Sequence, residues 1–125
     1  MSWNTIKIDK ADTLFSKYLR LKYKRCQCCG KRGAGDLGIT GLQASHFWGR
    51  RMESVRYDLQ NVDCLCIGCH KAFTDSKEQY REWKKEYLGE KEYDLLSLRA
   101  NNYSKKDRKM EAIKWKLALK KDFNI

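Results

Sequence analysis

The fold of this chain depends most on the stretch 61–70, which reads Asn61-Val62-Asp63-Cys64-Leu65-Cys66-Ile67-Gly68-Cys69-His70. It contains a Cys-x-x-Cys pair, Cys66 and Cys69, and a second such pair, Cys26 and Cys29, lies upstream. This spacing lets both thiolates of a pair reach one tetrahedral zinc ion. The sequence therefore predicts a structural zinc held by four cysteines, which joins two distant segments of the chain.

Neighbouring residues offer alternatives for this ligand set. Cys28 and Cys64 each lie two residues from a proposed ligand, and either could replace it. His70 follows the last cysteine directly and could serve as the fourth ligand instead. If the four thiolates saturate the zinc, however, both histidines of the chain, His46 and His70, are free for other chemistry.

The composition is typical of a single soluble domain. The chain has 125 residues, six cysteines and no apolar run as long as a signal peptide or a membrane span. We expect a cytoplasmic protein, in a bacterial host cell if a phage encodes it, and no membrane partner. In a reducing compartment, paired cysteines favour a metal site over disulfides.

The charge predicts a polyanionic partner. The formal net charge is +11 at pH 7, and the segment 13–35 contains seven cations and no acidic residue. A second basic run lies in the tail between residues 105 and 121. Two basic runs on either side of a zinc-type framework favour nucleic acid over a merely solvated surface. The cations of the tail run are Lys105, Lys106, Arg108, Lys109, Lys114, Lys116, Lys120 and Lys121.

The hydrophobic pattern predicts an α+β fold. Ile6 and Ile8 indicate a short extended entry, and Asp9 or Asp12 can cap a helix that runs to about Leu21. The apolar segment 42–48 and the alternating segment 54–57 predict two strands, with a loop over 58–63 and a helix from residue 67 onwards.

The tail pattern predicts three further helices. The first buries an aromatic stripe and ends at Gly89, the second is short, and the third begins at Ser104 or Asp107. We expect an N-terminal helix and zinc-bound core over residues 1–75, and a basic helical extension over 76–125 packed on or beside that core. The apolar residues of the first and third helices are Tyr80, Trp83, Tyr87 and Leu88, then Met110, Ile113 and Leu117 on one face, with Trp115 and Leu119 on another.

The order Cys-x-x-Cys, Ser-His, Asn, Cys-x-x-Cys-His resembles the zinc-stapled HNH endonucleases, whose fold is called ββα-metal. The three motif positions fall on His46, Asn61 and His70. The resemblance covers roughly residues 25–74, and the helical tail is similar to small phage recombination nucleases of the NinG/Rap kind. It implies a metal-dependent endonuclease that hydrolyses phosphodiester bonds in duplex or branched DNA and, if a phage encodes it, acts in recombination or DNA processing.

The same resemblance implies a role for each motif residue. His46 would be the general base, and His70 would be a ligand of a catalytic divalent ion, with Mg²⁺ or Mn²⁺ expected. Asn61 would hold the loop and orient the strand that carries His46. Arg50, with its neighbour Arg51, could clamp the phosphate.

One position departs from the family pattern. Many members have Asp or His directly before the general base, where that residue helps to bind the catalytic ion, and this chain has Ser45. A neutral hydroxyl is a weak ligand for a hard cation, so His70, substrate phosphate and water would hold the ion, or Asp58 or Asp63 would approach it. The alternative is a zinc-containing nucleic-acid-binding module with weak or no catalysis.

Overall fold

The computed structural model describes residues 7–125, which form five helices and a small two-stranded antiparallel sheet. The predicted α+β class is therefore confirmed. Ile6 lies outside the described residues, and Ile8 belongs to no strand. No helix within residues 7–125 has both the length and the apolar character needed to cross a membrane.

The first helix, α1, spans Lys10–Tyr23 and confirms the predicted N-terminal helix. Asp9 caps it through a reciprocal capping box with Asp12, which satisfies two backbone N–H groups at the helix start. Phe15 and Leu19 are buried on one face of the helix. That face packs against the last helix, α5, which spans Arg108–Phe123.

The sheet consists of β1, Leu42–His46, and β2, Val62–Cys66. Leu42 lies opposite Cys66 at one end of this hairpin, and His46 lies opposite Val62 at the other. Helix α2, Ile67–Asp75, follows β2 without a break. Strand β1 confirms the predicted first strand, and α2 begins where the sequence placed it.

The second strand predicted over 54–57 is wrong, and the loop predicted over 58–63 ends two residues earlier than expected because β2 begins at Val62. Glu53–Val55 forms a 3₁₀ turn, and the second strand is β2. The pattern misled because every residue of β2 is buried, including Asp63, so no polar alternation marks it. The alternation over 54–57 has another origin, since Arg56 is buried in an ion-pair network.

Helices α3, Lys77–Leu88, and α4, Glu90–Asn101, follow, with Gly89 in the left-handed half of backbone space between them. Tyr80 is buried as predicted, whereas Tyr87 is exposed and stacks on Trp83. In α5 the Trp115 side of the helix is buried. Its other predicted apolar face is exposed, comprising Met110, Ile113 and Leu117.

The main apolar core crosses the expected boundary at residue 75. It contains Phe15 and Leu19 of α1, Leu42 and Val62 of the hairpin, and Trp115 of α5. The Phe15 and Trp115 rings meet edge to face with their centroids 4.7 Å apart. The end of the helical tail therefore packs directly against the N-terminal helix.

Candidate functional site

The four predicted cysteines form one cluster. The sulfur atoms of Cys26, Cys29, Cys66 and Cys69 all lie within 4.8 Å of one another, and the Cys29 and Cys66 sulfurs are 3.7 Å apart. A tetrahedral zinc with Zn–S bonds of about 2.3 Å has sulfur–sulfur edges of about 3.8 Å, so the cluster fits this ion. The thiolate donor set can hold one structural zinc.

Local backbone geometry turns these sulfurs towards one point. Cys26 and Cys29 lie in the loop after α1, and the Cys29 amide donates to the Cys26 sulfur at 3.5 Å. Cys66 ends β2 and caps α2, and the Cys69 amide in the first helical turn donates to its sulfur at 3.4 Å. A metal ion held by these four sulfurs would join the loop after α1 to the start of α2.

The alternative ligands lie outside this cluster among the described residues. Cys64 is fully buried in the core shared with α1, and burial raises the pKa of its thiol to about 12. Cys28 is exposed. The imidazole of His70 is hydrogen-bonded to the side chain of Gln43 instead. The two-residue spacing therefore predicted the four cysteines whose sulfurs lie close enough together to hold one metal ion.

Strand β1, the loop after it, and helices α2 and α3 line a cleft of about 420 Å³. Both histidines line it, together with the two cations Arg50 and Lys77. The sequence predicts Arg50 as a site residue but does not indicate Lys77. Lys77 is the first residue of α3, which the sequence assigned to an extension rather than to the site. The other lining residues are Ala44, Ser45, Gly49, Phe73, Thr74 and Tyr80.

His46 is the last residue of β1, and its Nε2 lies 3.0 Å from the backbone carbonyl of Arg56. A carbonyl oxygen can only accept, so Nε2 carries the hydrogen and Nδ1 keeps a lone pair. Burial, and next the nearby charge of Arg50, lower the pKa of His46 to about 4. The imidazole is therefore neutral at pH 7, with Nδ1 as its basic nitrogen.

His70 lies in the first half of α2 and has the opposite arrangement. Its Nδ1 lies 2.6 Å from the side-chain oxygen of Gln43, which accepts the hydrogen and leaves Nε2 with the lone pair. Partial burial lowers the pKa of His70 below its usual range, and the charges of Lys77 and Arg50 act in the same direction. A neutral imidazole with one nitrogen held by an acceptor is the usual state of a metal-binding histidine.

The carbonyl that holds His46 belongs to a residue with a fixed side chain. The Arg56 guanidinium is 1% exposed and donates to Asp12 Oδ1 at 2.9 Å, to Glu53 Oε2 at 3.1 Å and to the Lys7 carbonyl at 3.1 Å. The hydrogen bond from Arg56 to Asp12 raises the pKa of Arg56 further. This network connects the 3₁₀ turn to α1. It thereby holds in place the Arg56 carbonyl, which accepts the hydrogen bond from His46. The sequence does not indicate this network because Asp12 and Arg56 are far apart in the chain.

Asn61 makes the kind of contacts that the resemblance implies. It is fully buried, its Oδ1 accepts from the Trp48 amide at 2.8 Å, and its Nδ2 donates to the carbonyls of Trp48 and Val55 at 2.9 and 3.0 Å. The side chain thus replaces missing backbone partners in the loop between β1 and β2. It holds the segment that directly follows His46.

Ser45 lies at the edge of the cleft but is only 4% exposed. The Tyr80 hydroxyl lies 3.0 Å from Ser45 Oγ and donates to Asp63 Oδ2 at 2.7 Å. Lys84 donates to the other oxygen of Asp63 at 2.7 Å, and both charges of this pair are 1% exposed. Burial raises the pKa of Asp63 and lowers that of Lys84. Ser45 is therefore part of a buried polar network that the sequence did not indicate.

The two acids considered as further metal ligands are engaged elsewhere. Asp63 binds Lys84, and Asp58 accepts from Arg99 at 2.9 Å. Neither lines the cleft in the part of the chain that the structure describes. Arg50 does line it, with Nε 3.8 Å from Asp12 Oδ1, whereas Arg51 does not.

We compared the chain with models of known protein families, with curated proteins and with solved structures, and none of the three comparisons gave a match.

Proposed function

We propose that this protein is a metal-dependent endonuclease of the HNH kind that hydrolyses phosphodiester bonds in DNA. One observation carries the proposal: His46 and His70 line the same cleft, and each has one ring nitrogen held by an oxygen acceptor. This leaves one basic nitrogen on each ring for chemistry. A base and a metal ligand beside one bound phosphate are the two imidazoles that such a hydrolysis requires.

In this proposal the two histidines have different tasks. His46 takes a proton from the attacking water through Nδ1, while the Arg56 carbonyl keeps the ring oriented and in the correct tautomer. His70 would hold a divalent ion, Mg²⁺ or Mn²⁺, through Nε2, together with water and the substrate phosphate. When bound, that ion would supply a Lewis acid for the leaving oxygen. Arg50 and Lys77 place positive charge beside the phosphate.

The charge of the molecule supports DNA as the substrate. The net charge of +11 attracts a polyanion, and the loop that bears Cys26 and Cys29 belongs to the segment without acidic residues. Contacts of this kind are made to phosphates and carry little sequence information. We therefore expect affinity that falls steeply with salt and depends weakly on sequence.

A second candidate function is a zinc-containing module that binds nucleic acid without cleaving it. Ser45 favours this alternative because its hydroxyl is buried against Tyr80 and supplies no acidic ligand to the cleft. A catalytic ion would then depend on His70 as its sole protein ligand, which is a weak site. Zinc and DNA binding would remain, without hydrolysis.

Nicking of supercoiled plasmid by the zinc-loaded chain, with Mg²⁺ or Mn²⁺ added, separates the two functions. If His46 is the base, His46→Ala should lower the rate by roughly a hundredfold or more at unchanged DNA affinity. His70→Ala should also fail, but part of its activity should return as the metal concentration rises. Lys71→Ala is the matched control, since Lys71 is the next residue of α2, is exposed and pairs with Asp75.

Each outcome decides between the candidates. Nicking by the wild type and by Lys71→Ala, with loss in both histidine variants, supports the nuclease. DNA binding without nicking by the wild type, in every metal tested, contradicts it and favours the binding module. Loss of zinc from His70→Ala would place His70 in the structural site and remove the proposed catalytic ligand.

A further inference from the structure

A second cavity adjoins the histidine cleft and differs from it in character. It has a volume of about 170 Å³ and shares two lining residues, Lys77 and Tyr80, with the cleft. This volume suits one small ring system and is below the range of pockets that hold larger ligands. The remaining lining residues are Phe47, Trp48, Arg81 and Tyr93.

The walls of this cavity are mainly aromatic. Trp48 and Tyr93 both contact Phe47 edge to face, with centroid distances of 6.0 and 5.8 Å. Within residues 7–125, no ring contact joins Trp48 to Tyr93, although both line the cavity. The cavity is therefore lined by two half-buried rings, Trp48 and Tyr93, that both rest on Phe47, and aromatic surfaces of this kind can stack with a further ring.

Two cations accompany these rings. Lys77 and Arg81 are exposed residues on successive turns of α3, and both line the cavity. Lys77 also lines the histidine cleft, so a phosphate in the cleft and a flat ring in the cavity would both lie beside this residue. An aromatic slot with cations beside it has the chemistry that single-stranded nucleic acid recognises.

The cleft has another neighbour, which lacks these properties. A cavity of about 300 Å³ shares Ala44 and Arg50 with the cleft and extends along α1. Its α1 lining consists of Asp12, Thr13, Ser16 and Arg20, and the cavity contains no aromatic residue. Hydroxyl groups and a guanidinium suit the sugar-phosphate backbone but offer no surface on which a base can stack.

We propose that the cavity between Trp48 and Tyr93 takes one unpaired nucleobase next to the phosphate in the cleft. The substrate class is then DNA with an unstacked base at or beside the cleavage position, such as a bulge, a flap or a single strand. This inference rests on the proposed action on DNA. Paired bases cannot enter, because a base inside a duplex is already stacked on both faces.

Binding and fluorescence can test this proposal without any cleavage. The probes are a DNA hairpin with a fully paired stem and the same hairpin with one unpaired 2-aminopurine, both added to the zinc-loaded full chain in Ca²⁺ buffer, with intact DNA verified on a gel. Stacking of one base on aromatic side chains should favour the bulged hairpin roughly tenfold. The 2-aminopurine emission should fall on binding because the base stacks on a side chain.

Variants of Tyr93 separate stacking from general affinity. Tyr93→Ser should remove the preference and the quenching while keeping the affinity for the paired hairpin, and Tyr93→Phe should retain both. Tyr103→Ser is the matched control, because Tyr103 is an exposed tyrosine that does not line the cavity. Zinc content and circular dichroism verify that each variant is folded.

Three results would overturn the proposal: equal affinity for the two hairpins, emission that does not fall, or equal loss of affinity for both hairpins in Tyr93→Ser. Its failure is distinguishable from that of the nuclease. A bulge preference that depends on Tyr93, found without plasmid nicking, would support the nucleobase site and contradict the nuclease. Nicking that depends on His46, without a bulge preference, rejects only the base site.

Discussion

The two ends of the β1–β2 hairpin are held in different ways. At the end where Leu42 lies opposite Cys66, four thiolates gather around a site for one zinc ion. At the end where His46 lies opposite Val62, the chain is held by the buried Arg56 side chain. We call these the thiolate end and the ion-pair end.

Each end positions one of the two histidines. At the thiolate end, Cys66 caps α2 and His70 follows Cys69 in the same helix. At the ion-pair end, the Arg56 carbonyl accepts a hydrogen bond from Nε2 of His46. The comparison indicates that the candidate site depends on two independent supports, and that damage to one support should affect one histidine first.

The largest effect should follow from breaking the thiolate end. Removal of the metal, or Cys66→Ser, should unfold the hairpin and α2, because structural zinc sites of this type contribute on the order of 10 kcal/mol of apparent binding energy. Metal content and thermal unfolding with and without chelator measure this effect. A zinc-free protein with an unchanged melting temperature would show that the cysteines do not support the fold.

The next largest effect should follow from breaking the ion-pair end. Arg56→Met removes the closest cation of the buried Asp12 carboxylate and one of the two arginines that bind Glu53, and we expect a loss of about 3–5 kcal/mol in the free energy of unfolding. Urea unfolding measures it, and the zinc content of the folded fraction should stay at one ion per chain.

The exposed pair of Lys71 and Asp75 provides the control for this variant. Its side chains are 75% and 64% exposed, so solvent screens the interaction and Asp75→Asn should change the stability by less than about 0.5 kcal/mol. Equal losses in Arg56→Met and Asp75→Asn would contradict the special role of the buried network.

These two ends also differ in how far the sequence reveals them. The thiolate end could be predicted from spacing alone, since two Cys-x-x-Cys pairs have the spacing of one tetrahedral zinc site. The ion-pair end could not, because its contacts join Asp12, Glu53 and Arg56 across the fold. In the sequence, Arg56 looks like the exposed polar residue of an alternating strand, although it is buried. The pattern over 54–57 therefore predicts a strand that does not form. For the same reason the sequence indicated both histidines but not Gln43, which holds one of them.

A pH titration tests the ion-pair end through His46 itself. Its pKa of about 4 in the folded state lies below the ordinary value of 6.5, so the unfolded chain binds this proton first as the pH falls. The contribution of His46 to the free energy of unfolding is therefore complete above about pH 6.5, and it decreases by about 3 kcal/mol as the pH falls to 4.

The comparison of wild type with His46→Gln isolates this contribution, because the protonation of the thiolates affects both proteins equally. The difference in unfolding free energy between them should change with pH between 6.5 and 4 and remain constant above 7. A constant difference over the whole range would mean that His46 titrates normally, and that it is less enclosed than its contact with Arg56 indicates.

The smallest effects should distinguish two neighbouring cations of α5. Arg108 belongs to the ion-pair end, since it donates to Asp9 at 2.6 Å and also binds Glu53, whereas Lys109 is exposed and has no ion pair within residues 7–125. Arg108 is 36% exposed, so screening should limit the cost of Arg108→Gln to less than about 1 kcal/mol. Its charge is already used inside the protein, and the salt dependence of DNA binding should not change.

Lys109→Gln should leave the stability unchanged and, if Lys109 contacts a phosphate, flatten the plot of log affinity against log salt by about one unit of slope. Urea unfolding and DNA titrations at several salt concentrations measure both variants. If Arg108→Gln alters the salt slope as much as Lys109→Gln does, Arg108 leaves its carboxylates to bind DNA, and the ion-pair end opens when the substrate arrives.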